Sequence, residues 1–346
     1  MIKVMHVLMT NKFSGAEKVA IEIIKKLESV DIEFYYIAAQ GPIEEVLCSE
    51  KIKYRLFDKV STTSLRRAIN EIRPDIIHCH DFTASLLSSI VAKNIPLISH
   101  LHHNASWMKK INIKSMLYLF SLHRYKCVLA VSQAIFDEYR FSEFIKNKIV
   151  IGNIIDIESI TKKYDADVKK DIDILFLGRM CEAKNPERFI QILEKIYKDG
   201  VSFKAAIVGD GELFHEIEKK IKEMGMSNII SMYGFRKNVY EYLNRSKIGM
   251  ITSKWEGFGL GAVECLAFGL PIVSSNVGGL KMLINDSCGK LCDTDEEFIE
   301  MVKKLLADNG YYEKKRENAF IQANRLNNVG KYKKKMLSIY KGMVEK

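Results

Sequence analysis

Short apolar runs alternate along most of the chain with longer stretches of helical periodicity. This is the pattern of buried strands joined by amphipathic helices. Runs at 4–9, 34–38, 76–80, 97–100 and 127–131 predict strands, and 16–27 and 83–91 predict helices among them. The alternation restarts at 173–178 and continues through 205–208, 229–232, 248–251 and 271–275. Such succession calls for parallel sheets with helices on both faces, so the chain reads as α/β with two doubly wound domains. A seam falls at Ile151-Gly-Asn-Ile-Ile-Asp156, ahead of the charged stretch 162–170 that lacks core periodicity. The expected division is 1–155, then 156–330, then a terminal helix in 331–346 with Met336, Leu337, Ile339, Tyr340 and Met343 on a broad apolar side.

A length of 346 residues with 47% hydrophobic content is enough for two cores. The 53 Lys and Arg outnumber 43 acidic residues, a formal charge of +10, which points to phosphates, nucleic acid or an acidic membrane as partner classes. Seven scattered cysteines without a C-x-x-C pair argue for a reducing compartment. The opening residues read as a strand leading into a glycine turn, not as a signal peptide, so a cytoplasmic location is expected. No apolar run reaches the ~18 residues of a membrane span. The stretch 107–120 interleaves apolar residues with Lys109, Lys110 and Lys114. It reads either as a packed helix with a basic face or as a segment pressed onto an anionic bilayer at the inner face of the cell membrane.

The densest chemistry lies in 254–275. Thr252 and Ser253 close an apolar strand, Gly257 and Gly259 permit a tight turn, and 260–268 has helical spacing ending at Gly269. Free amides at a helix start attract phosphate. Glu256 precedes the turn and Glu264 lies inside the helix, so two carboxylates bracket that anion site and can accept hydrogen bonds from sugar hydroxyls. Upstream, Gly178, Arg179 and Lys184 follow another strand; Arg can fork two oxygens of a diphosphate and Lys supplies a compact charge. Val208-Gly-Asp-Gly-Glu212 is too short for a dinucleotide fingerprint, which disfavours a nicotinamide dehydrogenase. In the first half, Gly15 would let a donor phosphate or an acceptor approach the backbone, although Ser14 as a plain cap also explains that turn. Histidines cluster at His78-Cys-His-Asp81 and His100-Leu-His-His103, and His78 with His80 on one strand face raises a zinc site. The D-x-D triplets at 165–167, 171–173 and 293–295 are not convincingly placed for a metal-bound diphosphate.

The segment from Glu256 to Glu264 resembles the E-x7-E signature of retaining glycosyltransferases of family GT4, and the run from Gly269 to Gly279 resembles the next strand and turn of that family. The resemblance covers nearly the whole chain. It implies the GT-B fold, two facing Rossmann-like domains with the donor site in the interdomain cleft. An N-terminal acceptor-side domain would face a C-terminal nucleotide-sugar domain, with the terminal helix crossing back. The implied reaction moves a hexose from a nucleoside-diphosphate sugar, UDP-sugar favoured, to a hydroxyl of an acceptor glycan or lipid-linked glycan, as in capsule or other polysaccharide biosynthesis. Retention, no metal and no cofactor are implied too, and nucleic acid drops out as a partner.

Residue by residue, the resemblance makes Arg179 and Lys184 a diphosphate clamp, with Lys184-Asn185 standing where Lys-Gly is more usual. Gly234-Phe235-Arg236 resembles the loop that holds the base, and Glu264 is expected on the ribose. Gly15, Gly178, Gly257, Phe258, Gly259 and Leu260 complete the donor-binding set, although the family often has a second glycine where Ser14 stands. His102, six residues after Pro96, falls where the family places a histidine facing the transferred sugar; His103 takes that role if the register slips by one. His102, Glu256, Arg179 and Lys184 form the expected catalytic group. The run 74–80 looks like the family's Pro-Asp-x-x-His-x-His strand end, which weighs against zinc. Two other functions remain open: a non-catalytic GT-B accessory or chaperone subunit, and a sugar-nucleotide epimerase. Keeping both cations and both glutamates favours catalysis.

Overall fold

The computed structural model describes residues 1–29, 31–103 and 105–344. The chain forms two compact units, Met1–Ile154 with Asn328–Lys346, and Ile155–Asn327. In the first unit, strands β1 (Ile2–Val7), β2 (Ile32–Ala39), β3 (Tyr54–Phe57), β4 (Ile76–His80), β5 (Leu97–Leu101), β6 (Tyr125–Ala130) and β7 (Lys148–Val150) form one sheet in the order β3-β2-β1-β4-β5-β6-β7. Every pairing is parallel. Val4, Met5, Val7, Ile76, Ile77, Leu97 and Ile98 are buried, as expected of central strands covered on both faces. The strand order reverses between β1 and β4, which opens a crevice at their carboxyl ends.

The second unit repeats the architecture with β8 (Ile172–Leu177), β9 (Ala205–Val208), β10 (Ile230–Met232), β11 (Ser246–Ile251), β12 (Ile272–Ser275) and β13 (Gly289–Cys292), in the order β10-β9-β8-β11-β12-β13, again parallel. Phe176, Phe189, Ile207, Ile248, Val273 and Phe298 lie in its core. β3, β7 and β13 are absent from the sequence reading. Each sits at a sheet edge, and the first two are half-exposed, so their apolar signal is diluted. The opening strand also ends at Val7, not at residue 9, and the first helix starts at Gly15.

Two helices of the first unit stand out by how they pack. The helix Val329–Val344 buries Tyr332, Met336 and Tyr340, spaced four apart on one face. Lys335 Nζ donates to the carbonyl of Val150 at 2.7 Å and Asn328 Nδ2 to that of Asn153 at 3.0 Å, which anchors the helix to its own unit. The helix Ile113–Ser121 is inverted: Ser115, Tyr118 and Ser121 are its buried face, whereas Ile113, Leu117 and Phe120 are 80%, 43% and 67% exposed. Its polar inner face is satisfied locally. Ser115 Oγ donates to the Asn112 carbonyl, and the Tyr118 hydroxyl bonds Ser99 Oγ at 2.7 Å. No helix among the described residues is long and apolar enough to cross a membrane.

Candidate active site

In the second unit, the carboxyl ends of β8 and β11 converge on a small cleft lined by Leu177, Lys184, Ser253, Glu256, Gly259 and Gly261. Lys184 Nζ donates to Glu256 Oε2, and Ser253 Oγ donates to the same oxygen at 3.4 Å. The loops are tied behind these side chains: Thr252 Oγ1 donates to the Asn185 carbonyl at 3.0 Å, and the Lys254 amide to the Ala183 carbonyl at 2.9 Å. Lys184 and Glu256, each expected at the site but not expected to touch, form an ion pair. Gly178 lies under the Lys184 stem, since a Cβ there would stand 3.7 Å from its Cγ, Cδ and Cε.

The turn after Glu256 is shaped by glycine at two places. Gly259 takes φ +100° as the cap residue of the helix Leu260–Ala267, and a Cβ on it would come within 2.7 Å of Leu280. Gly278 takes φ +50°, and a Cβ there would lie 1.8 Å from the Glu256 carbonyl oxygen. The Gly279 amide donates to that same carbonyl at 3.1 Å, so the turn after β12 fixes the backbone that carries Glu256. No side chain caps the helix Leu260–Ala267. Its first amides and the positive end of its dipole therefore face the cleft rim as an anion-attracting end. Leu260 opens this helix and Gly257 precedes the turn; Phe258 is buried, and Glu264 is half-buried one turn further along.

Arg179 is exposed just past the end of β8. Phe235, 61% exposed, and Arg236 follow β10, where Arg236 Nε donates to the Tyr242 hydroxyl at 3.1 Å. The Gly234 carbonyl accepts from the Gly209 amide at 2.9 Å, so the loop after β10 is joined to the Val208-Gly-Asp-Gly turn. In the first unit, Gly15 is exposed and a Cβ on it would meet nothing within 4 Å, so packing does not require glycine there. Ser14 stands at the cap position of its helix, yet its hydroxyl donates to the buried Glu17 carboxylate and accepts no cap hydrogen bond.

His102 belongs to a larger cluster than the sequence reading drew. The register places His6 on β1 beside His78 on β4, and His80 beside His100 on β5. His6, His78, His80 and His100 are fully buried, and His102 is half-buried beyond the end of β5. Burial, reinforced by neighbouring imidazoles, lowers His6 and His100 to about 3 and holds His78, His80 and His102 well below the ordinary histidine range. All five are neutral at physiological pH. His103 is exposed. Two triplets, His6–His78–His80 and His80–His100–His102, bring one ligand nitrogen each within 4.8 Å of one another. In the first triplet every ring nitrogen already has a hydrogen-bond partner, so a metal would have to displace them.

Asp81, which the sequence reading quoted without a role, follows the cluster at φ +108°, a strained conformation for a non-glycine residue. Its carboxylate accepts from the Ala84 amide at 2.8 Å, and burial pushes its pKa up to about 7. His6 and Tyr340 were also missed. His6 could have been found by noting histidines near the carboxyl ends of three strands, but Tyr340 lies 262 residues from its partner His78 and leaves no local signal.

The family described as "Glycosyl transferases group 1" matches residues 156–325, and "Glycosyltransferase Family 4" matches 13–159. Among curated relatives, the chain is 23% identical to the UDP-Gal:alpha-D-GlcNAc-diphosphoundecaprenol alpha-1,3-galactosyltransferase of Escherichia coli, over 89% of this chain and 88% of that one. It is 26% identical to a Campylobacter jejuni alpha-1,4-N-acetyl-D-galactosaminyltransferase whose name specifies a diNAcBac-PP-undecaprenol-linked acceptor, over 88% of each. Among solved structures, HepE of Anabaena in complex with UDP and glucose superposes with a TM-score of 0.85 at 20% identity, covering 98% of this chain and 99% of that one.

Proposed function

Because the chain belongs to the GT4-type glycosyltransferases of GT-B fold, we propose that it moves a sugar from a UDP-sugar to a hydroxyl of a lipid-linked or surface-polysaccharide acceptor, with retention of configuration and without a metal. The observation that carries the reading is the Lys184–Glu256 pair on the rim of a cleft closed by an uncapped helix start. A diphosphate in that cleft would meet Lys184, Arg179 and helix amides, fixed positive groups aimed where charge develops as the sugar leaves. Glu256 would then exchange its bond to Lys184 for the sugar hydroxyls, while Glu264 holds the ribose. Phe235 and Arg236 would border the base, and Gly15 and His102 would serve the donor from residues 1–155. The departing phosphate oxygen would take the acceptor proton on the same face, so no side chain need act as base.

Three relatives support the substrate class. The E. coli enzyme is named for UDP-galactose and a diphosphoundecaprenol acceptor, the C. jejuni enzyme for an undecaprenol-linked acceptor, and HepE holds UDP. An acceptor of this kind lies at a membrane. The exposed Ile113, Leu117 and Phe120, with Ile111 at 67% exposure and Lys110 and Lys114 beside them, supply an apolar face with a basic edge for peripheral docking on anionic lipid. Lys109 contributes less, since it pairs with Glu138 at 3.1 Å.

A thermal-shift panel of UDP, GDP and their sugars tests the donor assignment. A ligand at 100 times its Kd stabilises by about 2.7 kcal/mol, so selective uridine binding should raise the melting temperature. Equal or absent shifts for every nucleotide would remove the donor assignment.

A further inference from the structure

The five histidines and Tyr340 form one unbranched hydrogen-bonded chain inside the first unit. His100 Nδ1 bonds His78 Nε2 at 3.1 Å, and His78 Nδ1 bonds the Tyr340 hydroxyl at 2.8 Å. The same hydroxyl lies 3.4 Å from His6 Nε2. His6 Nδ1 then bonds His80 Nε2 at 2.7 Å, and His80 Nδ1 bonds His102 Nε2 at 2.8 Å. The two ends, His100 Nε2 and His102 Nδ1, are buried atoms with no partner among the described residues.

Protons can be counted along this chain. A neutral imidazole carries one N–H and a phenol one O–H, and each link consumes one proton. Six groups joined by five links leave one proton over, at one end or the other, once every link is made. The direction of the Tyr340 hydroxyl decides which end. An O–H donor makes the shorter bond, near 2.7–2.8 Å in general, whereas 3.4 Å is long for any donor. Tyr340 therefore donates to His78 and accepts weakly from His6. On one side, His78 must then donate to His100, which keeps the spare proton on Nε2. On the other, His6 donates to Tyr340, His80 to His6, and His102 to His80, so His102 carries its proton on Nε2 and presents a bare Nδ1 lone pair.

We propose that Tyr340, acting through His6 and His80, is a positioning residue that fixes His102 as the Nε2–H tautomer, so that its Nδ1 can accept a hydrogen bond but cannot donate one. The functional consequence rests on the reading that His102 faces the transferred sugar: once the groups covering Nδ1 give way to a bound donor, such a His102 would accept from a sugar hydroxyl. The terminal helix thus takes part in the chemistry of the first unit through a single hydroxyl. Reversing that hydroxyl would shift all six protons and turn His102 Nδ1 into a donor.

Long-range 1H–15N spectra of the full-length protein labelled at histidine report the proton position on each ring. In the wild type, the expected result is five neutral rings with His102 protonated at Nε2 and His100 also at Nε2. In Tyr340→Phe the link between the two arms is lost, and His102 should show both tautomers. Since only one tautomer can accept from the sugar of the bound donor, donor KM should rise about two-fold with kcat little changed. A His102 protonated at Nδ1 in the wild type overturns the proposal without any variant. So does a His102 tautomer unchanged in a folded Tyr340→Phe. His102→Ala separates the two readings: wild-type transfer by that variant, with the tautomers as expected, retains the proton ordering and removes His102 from the reaction.

Discussion

Acidification should weaken the first unit well before ordinary carboxylates titrate. A histidine that stays neutral when folded but has a pKa near 6.5 when unfolded lets the unfolded chain bind more protons below that pH, so stability falls as pH drops. His6 and His100, lowered to about 3, and His78, His80 and His102, lowered well below the usual value, all behave this way. Between pH 7.5 and 5, His6 and His100 each cost about 2 kcal/mol, about 4 together, and His78, His80 and His102 act in the same direction. Asp81 acts in the opposite sense. With a folded pKa of about 7 it takes up a proton before the unfolded chain does, which adds about 2–3 kcal/mol over the same interval. The histidines win: His6 and His100 alone outweigh Asp81, and the other three deepen the loss, against a total stability of only about 5–15 kcal/mol for a domain. The carboxylates held low by ion pairs, such as Asp171 with Arg245, begin to matter only below this window. Urea unfolding followed by circular dichroism at pH 7.5, 6.5, 6 and 5 should show a midpoint that falls steadily below pH 6.5. A constant midpoint from pH 7.5 to 5 would refute the reasoning.

Other expectations are equally specific. Gly278→Ala should destabilise the second unit by at least about 2 kcal/mol, because its Cβ meets the Glu256 carbonyl at a left-handed φ; a melting temperature equal to wild type would contradict the packing argument. Glu264→Gln should remove one charge-assisted hydrogen bond worth roughly 1.5–3 kcal/mol and weaken UDP by about 10- to 150-fold in calorimetry, whereas unchanged affinity would take Glu264 off the ribose. Lys184→Ala should lower turnover by about 10²–10³ with the fold retained; activity abolished by EDTA and restored by manganese would reverse the metal-free reading. Liposome flotation should show binding to anionic vesicles that weakens with salt and with Lys110→Glu and Lys114→Glu, each worth about 1 kcal/mol. Equal flotation with neutral lipid would count against the docking face.

The parts of the molecule written in local pattern were legible from the sequence. Central strands such as β1, β4, β8 and β11 announce themselves because both faces are buried, so apolar residues run consecutively. Lys184 and Glu256, 72 residues apart, are each singled out by motif resemblance, Lys184 beside Arg179 and Glu256 with Glu264, but their contact in the second unit is geometry that neither motif contains. What stayed hidden depends on tertiary neighbours. The helix Ile113–Ser121 has an ordinary amphipathic sequence, yet Tyr118 and three serines or asparagines satisfy one another inside while its apolar face points out. Burial of that kind inverts the usual inference from polarity. His6 and Tyr340 likewise gain their meaning only from strand register and from the return of the terminal helix to the first unit.

Proton NMR of UDP-glucose, UDP-galactose and their N-acetyl forms incubated with the protein and no acceptor tests the central claim most directly. A retaining transferase of this class should slowly release UDP from its preferred donor, with the free sugar appearing first as the α anomer. Free sugar appearing first as the β anomer, or conversion to an epimeric UDP-sugar without release of UDP, would contradict the account.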